Sequence, residues 1–393
     1  MNENREQDAV HIDRIVLREI HLPLAEPFRT ATGVVEQRRI VLLEITDADG
    51  FSAWSECVAE AVPAYSPETV DGAWRTLSEW IIPIAIGKIF PHPRLLHFAL
   101  QDSLRGNHMA RAAVEMGSWA IAAQRANESL AAYLAHASTL EGAPRESVET
   151  GIAVGMQSST DALIDRVRAA QADGYQRIKL KISPGYDVEI VREVRNAVGE
   201  SAPLSVDANG SYSLDTPADI VTLKALDAFD LVMIEQPLAR DDLVGHAQLQ
   251  RMMKTSLCLD ESVLDDSSVD DIIALGSGHI VNVKAGRVGG FTEALAIHDR
   301  CARADIPVWC GGMLECGIGR AYNVALASLP NFSLPGDLSP SARYWERDVI
   351  TSPWTMDSHG RVRVPLDRPG IGVEVDTAFI DELTVREASF ERS

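Results

Sequence analysis

The chain has 393 residues, 46% of them hydrophobic, and its 36 basic and 57 acidic side chains give a formal net charge of −21. That balance argues against nucleic acid, whose phosphates call for basic surfaces, and against an anionic membrane surface. A few cations gathered in a pocket can still hold a small anion.

The length exceeds one ordinary core and predicts a large domain with a smaller one. The opening residues, MNENREQDAV, are polar and acidic and carry no signal-peptide pattern. No apolar run reaches the roughly eighteen residues of a membrane span. Cys57, Cys258, Cys301, Cys310 and Cys316 are odd in number and form no CxxC pair. They read as free thiols in a reducing compartment, so a cytoplasmic protein is expected.

From Ile12 to Phe51 the pattern is strands, with DADG at 47–50 as a hairpin turn. The alanine-rich stretch 109–126 predicts an amphipathic helix. After residue 150 short apolar strands alternate with helical stretches. Their ends fall at Val154, Lys181, Asp207, Glu235, Asp260, Lys284, Cys310 and, more weakly, Gly336, always 24 to 28 residues apart. This repeat predicts a (β/α)8 barrel behind an α+β region. The expected division is 1–140 as a capping domain, 141–364 as the barrel and 365–393 as a segment returning to the cap.

RIKLKI, 177–182, alternates cations with aliphatics. On an edge strand the cations would face solvent. A barrel strand has no solvated face, so Ile178, Leu180 and Ile182 face the helices and Lys179 and Lys181 point inward. Polar residues then share the C-terminal ends of five consecutive strands: Lys179 and Lys181; Asp207 and Asn209; Glu235; Asp260 and Glu261; Lys284. Each alone could serve a turn or a helix cap, but their coincidence at barrel spacing points to a site. Asp207, Glu235 and Asp260 converging unpaired would be costly. An all-oxygen ligand set suits Mg²⁺, with Mn²⁺ as the alternative, and disfavours zinc. Lys179 beside Lys181 should ease formation of a neutral Lys181, a base for the proton α to a carboxylate. The charge developing on that carboxylate would be stabilised by the metal.

This order of residues resembles the enolase superfamily, in which a Lys or His base works beside Mg²⁺. Lysine on the sixth strand resembles the muconate-lactonizing subgroup. PFRTATG, IKLKISPGYDVE, VDANGSY, IEQPL, CLDES, VNVKAGRVGG and PVWCGGMLECGIGRA are similar to its o-succinylbenzoate synthase / N-succinylamino acid racemase branch.

The resemblance implies Lys181 and Lys284 as the catalytic pair assisted by Lys179, Asp207, Glu235 and Asp260 on Mg²⁺, and Asn209 and Glu261 supporting the metal. It implies cap loops 27–33 and 59–67 over the barrel, with Phe28, Thr30 and Tyr65 touching substrate and Gly311, Gly312 and Met313 meeting a succinyl arm. It implies a small carboxylate substrate and a homo-oligomer. Cys316 and Ala153 depart from the pattern and put the hold on the succinyl group in question.

A dipeptide epimerase or a muconate-type cycloisomerase would use the same lysines. A metal-dependent hydrolase would need histidine ligands that these strands lack, and a non-enzymatic scaffold would leave inward lysines without a task. The ten histidines form no metal pattern. GRVGG, 286–290, reads as a strand end opening a helix.

Overall fold

The computed structural model describes residues 8–30 and 33–392, with side chains except those of 28–34. Three antiparallel strands come first: β1 (Val10–Thr30), β2 (Gly33–Asp47) and β3 (Ser52–Cys57). The DADG turn joins the last two. Asp47 Oδ1 accepts the N–H groups of Asp49 and Phe51 at 3.0 and 2.9 Å, and Gly50 takes φ +88°. Leu17 lies opposite Leu43, and Ile15, Leu17, Ile20 and Ile45 are buried. The short β4 (Ile89–Phe90) pairs with the start of β1.

The expected helix runs over His108–Arg125 and packs on the sheet. Gly117 makes the close approach possible, because a Cβ there would lie 2.5 Å from Ile45 Cδ1. Glu115, fully buried on the same helix, accepts the N–H groups of Phe291 and Thr292 at 2.8 and 2.9 Å. It thereby caps the helix Phe291–Arg303 and ties the cap to the barrel.

After β5 (Ser147–Glu149) and the single residue Thr150, β6 (Gly151–Val154) opens a parallel ring. The ring continues through β7 (Arg177–Lys181), β8 (Leu204–Asp207), β9 (Ile234–Glu235), β10 (Leu257–Leu259), β11 (Ile280–Val283) and β12 (Val308–Cys310). These seven strands lie in chain order, with helices between them.

The expected eighth strand is instead a bridged segment. Gly336 N–H donates to Glu149 O at 3.0 Å, Gly151 N–H to Gly336 O at 2.6 Å and Asp337 N–H to Cys310 O at 2.9 Å. Phe332 also bridges Val308, and Pro335, without an N–H, interrupts the ladder between that bridge and Gly336. The segment still joins the two ends of the sheet, so the ring closes. β13 (Arg361–Arg363) pairs with β5 at the N-terminal end of the barrel. β14 (Thr384–Glu391), near the C-terminus, returns to the first sheet beside β1. One hydrophobic core runs through that sheet and the later half of the barrel, and a second lies under the earlier half.

Candidate active site

The alternation in β7 divides its side chains as expected. Ile178 and Leu180 are fully buried in the outer core. Arg177, Lys179 and Lys181 enter the ring. Lys179 Nζ donates to Glu235 Oε2 and Asp337 Oδ2, both at 2.9 Å. Burial opposes its charge, but Asp337, Glu235 and Asp207 outweigh that and hold Lys179 above its ordinary pKa. Its charge is thus engaged by carboxylates, and orienting Glu235 is a more direct consequence of its position than tuning Lys181. Lys181 Nζ donates to Asp207 Oδ2 at 2.6 Å and to Asn209 Oδ1 at 2.7 Å.

The carboxylates occupy equivalent positions on adjacent strands: Lys181 pairs in register with Asp207, and Asp207 with Glu235. Glu235 Oε1 accepts from Asn282 Nδ2 at 2.9 Å. Burial works against the Asp207 anion, yet Lys181 and Lys179 keep its pKa low. Just past the strand ends the backbone turns sharply, with φ +45° at Asn209 and +37° at Gln236. Asn209 N–H closes a local turn on Asp207 Oδ1 at 3.0 Å. Gln236 is pinned by its side chain, whose oxygen accepts Asp260 N–H at 3.0 Å and whose amide donates to Ser262 Oγ at 2.8 Å.

Lys284 stands just beyond β11, four positions around the ring from β7, and so faces Lys181 across the mouth. Its Nζ donates to Asp260 Oδ2 at 2.9 Å and to the Tyr65 hydroxyl at 3.1 Å. Burial lowers its pKa, but the Tyr65 oxygen, Glu235 and Glu261 overcome this and raise it. Arg287 donates to Asp260, to Tyr65 OH and to Asn282 O. Gly311 makes room for this arrangement: a Cβ there would lie 2.6 Å from Lys284 Cε and 2.3 Å from Asn282 Oδ1.

Lys179, Lys181, Asp207, Asp260, Glu261 and Lys284 line a cavity of about 360 Å³ covered by Glu60, Val62, Ala64 and Tyr65 from the 59–67 loop, with Glu235 buried behind them. Gly312, Met313 and Ala153 line it too, whereas Gly311 packs behind Lys284. Tyr65 reaches the cavity, but its hydroxyl is engaged by Asp260, Lys284 and Arg287. Cys316, expected to bear on the substrate arm, is fully buried and directs its thiol to Glu56. The side chains of Phe28 and Thr30 lie outside the described residues.

Asp337 and Arg287 were not among the expected site residues. Asp337 follows the weak eighth-strand marker Gly336, and its position was the available signal. Arg287 lies within GRVGG, read as the opening of a helix, and nothing in that spacing points it at Asp260.

Among the described residues no three His, Cys, Asp or Glu groups converge as a closed metal-ligand group; Asp207, Glu235 and Asp260 each lean on a lysine. The donor chemistry nevertheless fits a hard divalent cation. Only carboxylate oxygens come from the three strands. Beside them, Glu261 accepts Asn209 Nδ2 at 2.9 Å on Oε1, while its buried Oε2 has no partner. Burial, then Asp207, raises the pKa of Glu261, and Lys284 and the Asn209 hydrogen bond offset this only in part.

Residues 12–134 match the mandelate racemase / muconate lactonizing enzyme N-terminal domain, and residues 162–379 match the enolase C-terminal domain-like family. The chain is 44% identical over 387 residues to an o-succinylbenzoate synthase of Geobacillus kaustophilus, covering 98% of this chain and 99% of that one. It is also 44% identical over 377 residues to an N-succinylamino acid racemase of an Amycolatopsis species, covering 94% and 96%. A solved structure of an enolase superfamily member from Listeria innocua superposes with a TM-score of 0.91 at 35% identity, covering 97% of this chain and 99% of that one. The chain belongs to the enolase superfamily, in its mandelate racemase / muconate lactonizing enzyme family, whose members are enzymes that use a divalent metal.

Proposed function

We propose that this chain abstracts the proton α to a carboxylate in a Mg²⁺-dependent reaction, as an o-succinylbenzoate synthase, an N-succinylamino acid racemase or both. The observation that carries this reading is the pair Lys181 and Lys284, on opposite sides of the ring, with three strand-end carboxylates between them. Asp207, Glu235 and Asp260 would hold the ion. When bound, Mg²⁺ supplies positive charge to the substrate carboxylate as negative charge develops there.

Lys181 takes the α-proton as a neutral amine. In the dehydration, the same ammonium returns a proton to the departing hydroxyl, which leaves as water, while Lys284 remains a cation. In the racemisation, one lysine removes the α-proton and the other delivers a proton to the opposite face. Lys179 fixes Glu235, and Asn209 and Glu261 brace the approach from Asp207. The 59–67 loop excludes water over the cavity.

The test is proton NMR in D₂O with Mg²⁺, using an N-succinyl-L-amino acid in one sample and the cyclohexadiene precursor of o-succinylbenzoate in another. Loss of the α-proton signal, or growth of aromatic signals, is expected. Both should stop with EDTA and with Lys181→Ala. No change in either sample would overturn the substrate assignment.

A further inference from the structure

We propose that Asp337 is a positioning residue for the metal site: by sharing Lys179 it keeps that ammonium from closing on Glu235 and Asp207, and so leaves their oxygens to the ion. The proposal rests on the reading above, in which Asp207, Glu235 and Asp260 hold Mg²⁺.

Lys179 stands among three carboxylates. Its Nζ lies 2.9 Å from Glu235 Oε2, 2.9 Å from Asp337 Oδ2 and 3.7 Å from Asp207 Oδ2. An ammonium is a point charge with three rotatable donors, so small side-chain movements redistribute its bonds. Two of the three acids are proposed ligands of the ion. An oxygen given to the ammonium is to that extent withheld from the metal. Asp337 alone of the three is not a proposed ligand, and it holds the ammonium from another direction in the chain, at the segment that closes the ring.

Asp337 is itself firmly placed. Its N–H donates to Cys310 O at 2.9 Å, and its backbone oxygen accepts Arg320 Nη1 at 2.8 Å. Its Oδ1 accepts Arg177 Nη2 at 2.9 Å. Arg177 is fully buried, donates from Nε to Pro335 O at 3.0 Å and has its guanidinium 4.1 Å from the centre of the Trp309 ring. Burial opposes the Asp337 anion, but Lys179 and Arg177 hold its pKa well below the usual carboxylate range.

The charges therefore alternate in a line: Arg177, Asp337, Lys179, Glu235. In a buried site each strongly feels the next. Without the charge of Asp337, Lys179 keeps only Glu235 and Asp207, and its gap to Asp207 should close toward hydrogen-bond length. The ammonium then competes with the ion for two of its three ligands. Without Arg177 the opposite happens. Asp337 has one cation left and draws Lys179 away from the ligands. A merely structural acid would not give effects of opposite sign.

The experiment titrates Mg²⁺ alone calorimetrically into the EDTA-treated full-length protein. Asp337→Asn, close in shape but uncharged, should weaken binding by about 10-fold, the lower range for losing a partner that orients a metal ligand. In a Lys179→Met background the same substitution should change the Kd by less than about twofold, because the loss runs through Lys179. Arg177→Met should tighten binding, and decides the matter if the Asn variant does not fold. Unchanged affinity in Asp337→Asn, an equal loss with and without Lys179, or unchanged or weaker binding in Arg177→Met overturns the proposal. No binding of Mg²⁺ by wild type overturns it together with the metal site. If the affinities shift as expected but wild type exchanges no α-proton in D₂O, the role of Asp337 stands and the proton-abstraction reading fails.

Discussion

Glu56 Oε2, on β3 of the cap, accepts both the backbone N–H and the thiol of Cys316, each at 3.1 Å. The bonds meet at the start of the helix Gly317–Ala327, on the loop that lines the cavity. Glu315 crowds the same spot: a Cβ on Gly319 would lie 2.4 Å from Glu56 Oε2 and 2.8 Å from Glu315 Cβ. Burial, then Glu315, pushes the Glu56 pKa up from 4.5 to about 8.

That shift fixes the sign of a stability change. Between the two pKa values the unfolded chain has lost this proton and the folded chain has kept it. Stability therefore falls as pH rises from about 4.5 to about 8, and the effect levels off above. Glu56→Gln has no proton to release. Its melting temperature, measured by scanning calorimetry relative to wild type, should improve steadily from pH 5 to pH 8. A difference that stays constant across that range would show that Glu56 does not keep its proton.

The two lysines should fail differently. Lys181→Ala should lower the dehydration by roughly 10²- to 10⁴-fold, the usual contribution of a positioned acid–base group. In the racemase assay each single alanine variant should lose racemisation yet still exchange the α-proton of one enantiomer, because the lysine on the other face is intact. Separate NMR time courses for L and D substrate should show opposite survivors in Lys181→Ala and Lys284→Ala. The same survivor in both would put one base on both faces and contradict the opposed geometry.

Much of this arrangement was legible because strand period and barrel spacing are strict. RIKLKI could face only two ways, and once the ring was inferred the inward lysines followed. The ends holding Asp207, Glu235 and Asp260 recurred at the spacing of one strand and one helix. Legibility ended where the chain left those periods. Pro335 turned the expected eighth strand into two bridging residues and hid Asp337, which engages Lys179. Arg287 lies on the short helix Ala285–Val288 past the end of β11, where a single sequence gives no direction for a side chain. Cys316 was one residue from the cavity-lining loop in sequence, yet its thiol turns to the cap. That direction depends on Glu56, 260 residues away.

Metal removal should abolish turnover, and Mg²⁺ should restore it, with Mn²⁺ as a weaker or equal substitute. Binding should also be visible without substrate. At an Mg²⁺ concentration a hundred times its Kd, linkage predicts about 2.7 kcal/mol of added stability. Calorimetric melting with EDTA and with Mg²⁺ checks this, and Asp207→Asn should shrink the increment by weakening the ligand set. An identical melting temperature with and without the ion, in wild type, would count against Asp207, Glu235 and Asp260 as its ligands.

Gly311 tests whether the placement of Lys284, rather than its presence, sets activity. A methyl group at this position would press within 2.6 Å of Lys284 Cε and 2.3 Å of Asn282 Oδ1. Something must shift, and the lysine, which reaches Asp260 and Tyr65, is freer to do so than Asn282, whose side-chain nitrogen is bonded to Glu235 and whose backbone carbonyl is held by Arg287. Overpacking of this kind costs about 1–3 kcal/mol of stability. The catalytic loss should be larger, because a displacement of about 1 Å can cost about a hundredfold in rate. Gly311→Ala should therefore fold, melt a few degrees lower and lose most of the proton transfer assigned to Lys284. Exchange on the Lys181 face should persist better. Equal losses on both faces would mean that the substitution distorts the metal-binding carboxylates, and that Gly311 does not act through Lys284 alone.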